Sequence, residues 1–288
     1  MCFHHRSCRF GFLSLTLFVV LIAYSSRIVQ AADFKYPISV ASTPDGAIYV
    51  ADRNLPGIWK IVNGKTTLFH QASKKFRTPL NAIRCLAVDS KGNLLAGDSA
   101  TREIYRFGKD GKPVPLTKGF IGIPMSIAAD GKGQLYVADL ETQRIWKVAE
   151  AGGEPKEFAV ISGPRGVAVD SQGNIWVVNA TGNPLIRYSP AGKAEPVVKE
   201  RAFKFPHNVV IDAKGTAYVS DGYAKTVWKI SADGKPEKWI SGKPFVNPVG
   251  LAWKGKALLV VDPRANAVFS VSEDGKLTTI ATGTAARK

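Results

Sequence analysis

The 288-residue chain is poor in the side chains on which chemical sites are commonly built: it has three cysteines, four histidines and two methionines. Beyond residue 31 only Cys85, His70 and His207 remain of the cysteines and histidines. A single cysteine excludes an intrachain disulfide in that stretch, and two histidines exclude a three-histidine zinc site. No G-x-S-x-G elbow, phosphate-binding P-loop or C-x-x-C motif occurs. After residue 31 no window places apolar residues at i, i+3, i+4 and i+7, which excludes a helical solenoid. Acidic residues are scarce too: 23 Asp and Glu stand against 39 Lys and Arg, a formal charge of +16. That surplus favours acidic partners, whether polyanionic glycans, anionic envelope surfaces or nucleic acid, without selecting among them.

Residues 1–31 contain no acid, carry Arg6, Arg9 and Arg27 around the apolar run Phe12–Tyr24, and end in Val29-Gln30-Ala31. This is the pattern of a secretory signal peptide cleaved after Ala31. The run is short for a membrane span, so an uncleaved anchor is the alternative. A secreted or periplasmic location is therefore expected, and nucleic acid drops out as a partner. Loss of the three arginines takes the formal charge from +16 to +13.

What the chain has in abundance is repetition. A carboxylate or amide closes an apolar run at Asp52, Asp98, Asp139, Asn179, Asp221 and Asp262, at spacings of 46, 41, 40, 42 and 41 residues. Six residues after each marker comes an aliphatic residue, as in Ile145-Trp146 and Val227-Trp228. Six residues before it stands glycine in five copies, whereas the sixth has Lys256 with Gly255 one place early, so its turn is read as one residue shorter. Short alternating strands between Gly/Asp turns at this period define the blades of a propeller. The expected fold is all-β, a six-bladed β-propeller of four-stranded antiparallel blades forming one domain over 32–288, with blades at about 37–71, 84–118, 125–160, 165–200, 207–242 and 249–283. In blade three, strands are expected at 127–129, 134–138, 143–148 and 155–159.

Propeller geometry sends the D-x-x-G turns to one face, the bottom. The marker residues, the openings of the inner strands and the longer connections reach the other face, the top, where function is expected. Six markers circling one face suggest either a metal funnel or local caps bonded to the backbone of the following turn. Within the top connections Lys74, Lys75, Arg77, Lys118, Arg201, Lys204 and Lys243 alternate with Phe76, Phe120, Phe203, Phe205 and Phe245. These read as a binding rim or as seals between blades with solvated lysines.

The residues that break the repeat are more informative. Most inner strands open Pro-x-small, and the variable residue is Ile38, Arg84, Met125, Arg165, His207 or Val249. All six should ring the channel mouth, and none is acidic. Arg84 and Arg165 around His207 suit a carboxylate or phosphate. The alternative pairs the arginines with marker carboxylates such as Asp98 or Asp139. Arg84, Arg165, His207, Met125, Asp139 and Asp221 are the candidate ligand-binding residues, with no catalytic and no metal-binding set. Cys85 falls in the small-residue slot and reads as a core residue rather than a reactive thiol.

The V-A-D…I-W-K frames, as in Leu135–Asp139 and Ile48–Asp52, resemble NHL-repeat six-bladed propellers related to the gluconolactonase/regucalcin-like superfamily. For the calcium-dependent lactonases of that superfamily the resemblance implies metal ligands Glu, Asn and Asp at the slots that open the inner strands. Here those slots hold no oxygen ligand. Pro206-His207-Asn208 is similar to one Pro-His frame of the amidating lyase, but a single ligand is not a site. The expected function is a non-enzymatic binding or interaction module for an acidic ligand, glycan or protein partner on the top face, without cofactor, monomeric, and able to touch an anionic envelope peripherally. A gluconolactonase-like hydrolase or lyase with a non-standard site is the alternative.

Overall fold

The computed structural model describes Met1 and residues 33–283. The signal-peptide reading lies outside the described residues. Twenty-four strands form six four-stranded antiparallel sheets, each built from four consecutive strands at 37–71, 83–115, 124–160, 164–198, 206–241 and 250–282. The described residues contain no helix. The chain is thus a six-bladed propeller, and no blade borrows a strand from another.

Burial follows the alternation. The second strand of each blade is buried, wholly in Ile48–Asp52 and Ala217–Asp221 and in all but the first residue of Gln134–Asp139 and Ala257–Asp262, because blades cover both of its faces. Six hydrophobic clusters sit one at each blade interface, such as Leu95 and Ile104 with Leu135 and Val137 between blades two and three. Each fully buried aliphatic side chain there contributes about 1.5–3 kcal/mol of transfer free energy. Cys85 belongs to the same cluster; burial pushes its thiol up to about 12, and Sγ donates to the Pro124 carbonyl at 3.2 Å, so it is an inert core residue.

The ring closes on Phe34, which precedes the first strand. It is 1% exposed, packs with Val261 and Val268 of blade six, and meets Trp59 edge-on at 5.7 Å. Its carbonyl accepts from Asn266 Nδ2 at 3.0 Å. The final bond of the ring is therefore made by side chains rather than by a shared strand.

The markers are caps, and they do more than hold one turn. Asp139 accepts from the amides of Glu141 and Thr142 in its own turn, from Gly122 and Ile123 in the connection arriving from blade two, and from Trp146 Nε1. Asp52, Asp98, Asp221 and Asp262 likewise bond both segments. Of the tryptophans seven residues on, Trp146 and Trp228 reach their markers, Trp228 Nε1 meeting Asp221 at 3.3 Å, whereas the buried Trp59 Nε1 has no protein partner. Asn179 has one carbonyl oxygen where the others have two carboxylate oxygens. Its Nδ2 donates to Asn183 O and its buried Oδ1 has no protein partner.

The inner strand of blade three begins at Pro124, three residues earlier than expected. The extra residues belong to the ladder but contain an irregularity, and that irregularity shapes the site.

Candidate ligand-binding site

At the start of the inner strand the ladder skips one residue in five of the six blades. Pro37 pairs with Asp52 and Ser39 with Ala51, leaving Ile38 out of register; Arg84, Met125, Arg165 and His207 are skipped in the same way. A bulge of this kind turns the extra side chain out of the alternating pattern. In a propeller that direction is the channel. Val249 lies just before the inner strand of blade six, its amide bonded to Val261 O. All six variable residues therefore line one cavity of about 260 Å³ at the top of the channel.

Asp139 and Asp221 do not join them. Both are fully buried, and their oxygens are taken up by the amides and indoles described above, so their candidacy as ligand residues is corrected to a capping role. Nor do the arginines pair with the markers. Arg84 Nε donates to Ser99 Oγ at 2.9 Å, and among the described residues no ion pair includes Arg84 or Arg165. The Arg165 guanidinium lies over the Phe205 ring at 4.3 Å, and its buried Nε has no protein partner. Burial lowers the pKa of both guanidinium groups; for Arg84 the charge of Arg53 adds to this and Asp98 partly offsets it.

Arg53 is a mouth residue that the repeat comparison overlooked. It follows its marker directly, a position held in the other blades by Ser99, Leu140, Ala180, Gly222 and Pro263, so it was detectable as a second place where blades differ. Tyr36, Asn208 and Asn247 also line the cavity. Among the described residues no carboxylate does.

His207 is set tightly. Its ring meets Phe205 edge-on at 5.0 Å, and Phe205 stacks on the exposed Tyr223 at 4.8 Å. A Cβ on Gly222 would stand 2.9 Å from His207 Nε2 and 2.2 Å from Asn247 Oδ1, so only glycine lets the turn approach this closely. Burial, reinforced by the Arg165 charge and only partly opposed by Asp221, pushes the imidazole down to about 4. It is neutral at pH 7, with Nε2 buried and without a protein partner.

The rim continues the charge. Lys74, Lys75, Arg77, Lys118, Arg201, Lys204, Lys225, Lys243 and Arg264 are exposed on the loops of this face. On the connections between blades and the turns after the markers the exposed acids are Glu141, paired with Arg102, and Glu200. The rim phenylalanines divide: Phe203 and Phe245 are buried seals, whereas Phe76 and Phe120 are exposed.

A lactonase-type calcium does not fit this mouth. Its slots present guanidinium, imidazole and hydrocarbon groups, Asn208 Oδ1 already accepts from Val209 N, and among the described residues no three His, Cys, Asp or Glu side chains converge. The residues suit an anion instead: fixed guanidinium donors, a neutral imidazole, and apolar walls from Ile38, Met125 and Val249.

Among solved structures of similar fold are virginiamycin B lyase from Staphylococcus aureus, at 16% identity and a TM-score of 0.66 over 88% of this chain and 86% of that one. The nidogen/laminin complex matches at 17% identity and a TM-score of 0.68, over 86% of this chain and 93% of that one. Human NHL-repeat-containing protein 4 is 28% identical over 120 residues, 38% of this chain and 87% of that relative. These likenesses bear on fold and repeat type. The model of the family described as "SMP-30/Gluconolactonase/LRE-like region" matches residues 21–210, which takes in the first four blades and most of the inner strand of the fifth, and the chain belongs to that family.

Proposed function

We propose that this propeller is an exported, non-enzymatic recognition module whose top face holds an acidic ligand, with one carboxylate or phosphate of that ligand seated in the channel mouth between Arg84, Arg165 and Arg53. The observation that carries this reading is a cavity that, among the described residues, is lined by no carboxylate and holds cations without acidic partners. Arg84 and Arg165 are half-buried and lack counter-ions among the described residues, so part of their hydration is lost without compensation, and a bound anion relieves that cost. The basic rim extends the attraction and suits a polymer or an acidic protein surface. The nidogen/laminin complex, similar in fold, is an assembly between proteins.

The test is binding of fluorescein-labelled polyglutamate and heparin across a series of salt concentrations. Replacing Arg84 and Arg165 together by alanine should weaken binding by at least tenfold, since a hydrogen bond to a charged group contributes about 1.5–3 kcal/mol. The salt dependence should also flatten, and Lys74→Ala/Lys75→Ala should have a smaller effect. Unchanged affinity and salt slope in the arginine variant would overturn the proposal.

A second reading is supported by His207, a neutral imidazole that lines the mouth and whose Nε2, buried against Gly222, has no protein partner. The structures of similar fold include a catalytically inactive histidine-to-alanine variant of the S. aureus lyase with quinupristin. A lyase- or lactonase-type activity here would use His207 as proton acceptor. Turnover of a lactone or of quinupristin by the purified chain, lost on His207→Ala, would establish it.

A further inference from the structure

The bottom face carries a second cavity of different chemistry. It lies between blades five and six, has a volume of about 840 Å³, and is lined by Tyr218, Trp239 and Trp253 together with Asp212, Lys214 and Glu273. Its origin is a local departure from the repeat. In blades one and three the residue skipped in the outer strand is Phe69 or Phe158. Each is gripped between its own blade's tyrosine and an aromatic residue of the next blade, Phe107 at 5.3 Å or Tyr188 at 5.8 Å. In blade five the skipped residue is Trp239, but the residue of blade six at the place of Phe107 and Tyr188 is Val271. Trp253 instead projects from the inner strand, where the other blades carry Ser42, Val88, Ala129, Val169 and Ile211. Register confirms that the hairpin beside it is one residue shorter: Gly250 pairs with Val261 where Ser39 pairs with Ala51. The shortened turn at Gly255-Lys256 leaves the tryptophans open to solvent.

The two indoles flank Tyr218 at 5.0 and 5.3 Å and are held in place. Trp253 Nε1 donates to Ile211 O at 2.9 Å, so that indole presents a fixed face. Around them are donors and acceptors of both signs. Asp212 Oδ1 is committed to the amides of Lys214 and Thr216, while Oδ2 has one long contact, from the Tyr218 hydroxyl at 3.4 Å. Both indoles are half-buried, and the volume falls in the range of roughly 300–1,000 Å³ that holds small-molecule ligands.

The geometry points to a binding site for a short uncharged oligosaccharide in this groove. A pyranose has an apolar C–H face that packs on an indole and a rim of hydroxyls that both donate and accept, which matches fixed tryptophans bordered by carboxylate and ammonium groups. Lys214, Lys229 and Lys256 line the groove beside Asp212 and Glu273, with Lys256 paired to Glu273 at 3.8 Å, so the groove presents both signs to a polyhydroxylated ligand, unlike the acid-free mouth on the opposite face.

The experiment is isothermal titration, with saturation-transfer NMR, of the intact chain with N,N′-diacetylchitobiose, cellobiose and maltotriose, and a heparin tetrasaccharide as the charged comparison. At least one uncharged sugar should bind saturably. Trp239→Ala and Asp212→Asn should each weaken it at least tenfold, and Arg84→Ala/Arg165→Ala should leave it unchanged. Asp212→Asn is nearly isosteric and keeps the test valid if Trp239→Ala fails to fold. Absence of binding by all three uncharged sugars, or sugar binding indifferent to both groove variants, overturns the proposal. Binding of the heparin fragment alone also overturns it.

Discussion

His207 should make the propeller measurably less stable in mild acid, and the size of the effect can be worked out. The folded imidazole titrates at about 4, against an ordinary value of 6.5. The unfolded chain therefore takes up a proton as pH falls through 6.5 while the folded chain refuses it until pH approaches 4. Stability is full above 6.5 and declines between those two values. With one pKa unit equal to about 1.4 kcal/mol, the loss from pH 7 to pH 5 is about 2 kcal/mol from this residue. Burial also lowers His70, which packs on Phe107, so the wild-type slope contains a second contribution of the same sign. A comparison with His207→Gln removes it, since His70 is present in both proteins. Urea unfolding followed by tryptophan fluorescence at pH 7 and pH 5 should show His207→Gln losing about 2 kcal/mol less than wild type. Equal losses would show that the imidazole is not held neutral by its surroundings. The same coupling predicts that an anion bound at the mouth draws a proton onto His207, so polyglutamate should bind more tightly at pH 5 than at pH 7, and His207→Gln should abolish that gain.

Other expectations are more local. Asp139→Ala leaves the amides of Gly122 and Ile123 and the Trp146 indole without their acceptor, and should cost about 2–4 kcal/mol in urea or thermal unfolding; Asn179→Ala, which breaks a single bond to Asn183 O, should cost clearly less. Burial raises the Asp139 carboxyl, but the bonds from Ile123, Thr142, Gly122 and Trp146 outweigh this and hold it below its ordinary 3.8, so its stabilisation is complete above 3.8 and declines as pH falls from there to the depressed value. Phe34→Ala should cost about 3–5 kcal/mol and open the ring at the blade one–blade six seam, read as faster amide exchange in Val261 and Val268 before the other blades. Gly222→Ala should weaken polyglutamate binding while leaving the fold intact, because its methyl displaces Asn247 and His207 rather than the blade sheets.

The blades were legible because strand period and turn chemistry are local. The glycine and marker spacings needed no knowledge of what touches what. The mouth was legible for a subtler reason: the Pro-x-small frame that marks it is the sequence trace of a bulge, and a bulge residue is free to vary where ladder residues are not. Ile38, Arg84, Met125, Arg165 and His207 could be gathered from a one-dimensional comparison because the fold puts the same irregularity at the same height five times. Relations between blades escaped it. Nothing local distinguishes Phe205, which carries the Arg165 guanidinium, from Phe203, which is buried two residues earlier, or tells whether Arg84 meets Asp98 or Ser99.

That division explains where Asp139 and Asp221 were misplaced. A carboxylate recurring at one height of every blade invites a collective role at the pore, yet its oxygens face the one place where backbone amides recur with the same period, the junction of turn and incoming connection. A repeated polar residue in a repeated fold finds repeated partners; a ligand, which occurs once, must be met by what does not repeat. By that criterion the arginines, His207 and the Trp239–Trp253 groove are the places where this chain departs from its own scaffold. The two departures lie on opposite faces with opposite demands, a mouth without acids and a groove with them. A ligand carrying both an acidic group and neutral sugars could not satisfy both through one copy of the chain without wrapping its edge. Variants of one site should therefore leave affinity at the other unchanged, and a double variant of Arg165 and Trp239 should show additive losses for separate polyglutamate and sugar probes.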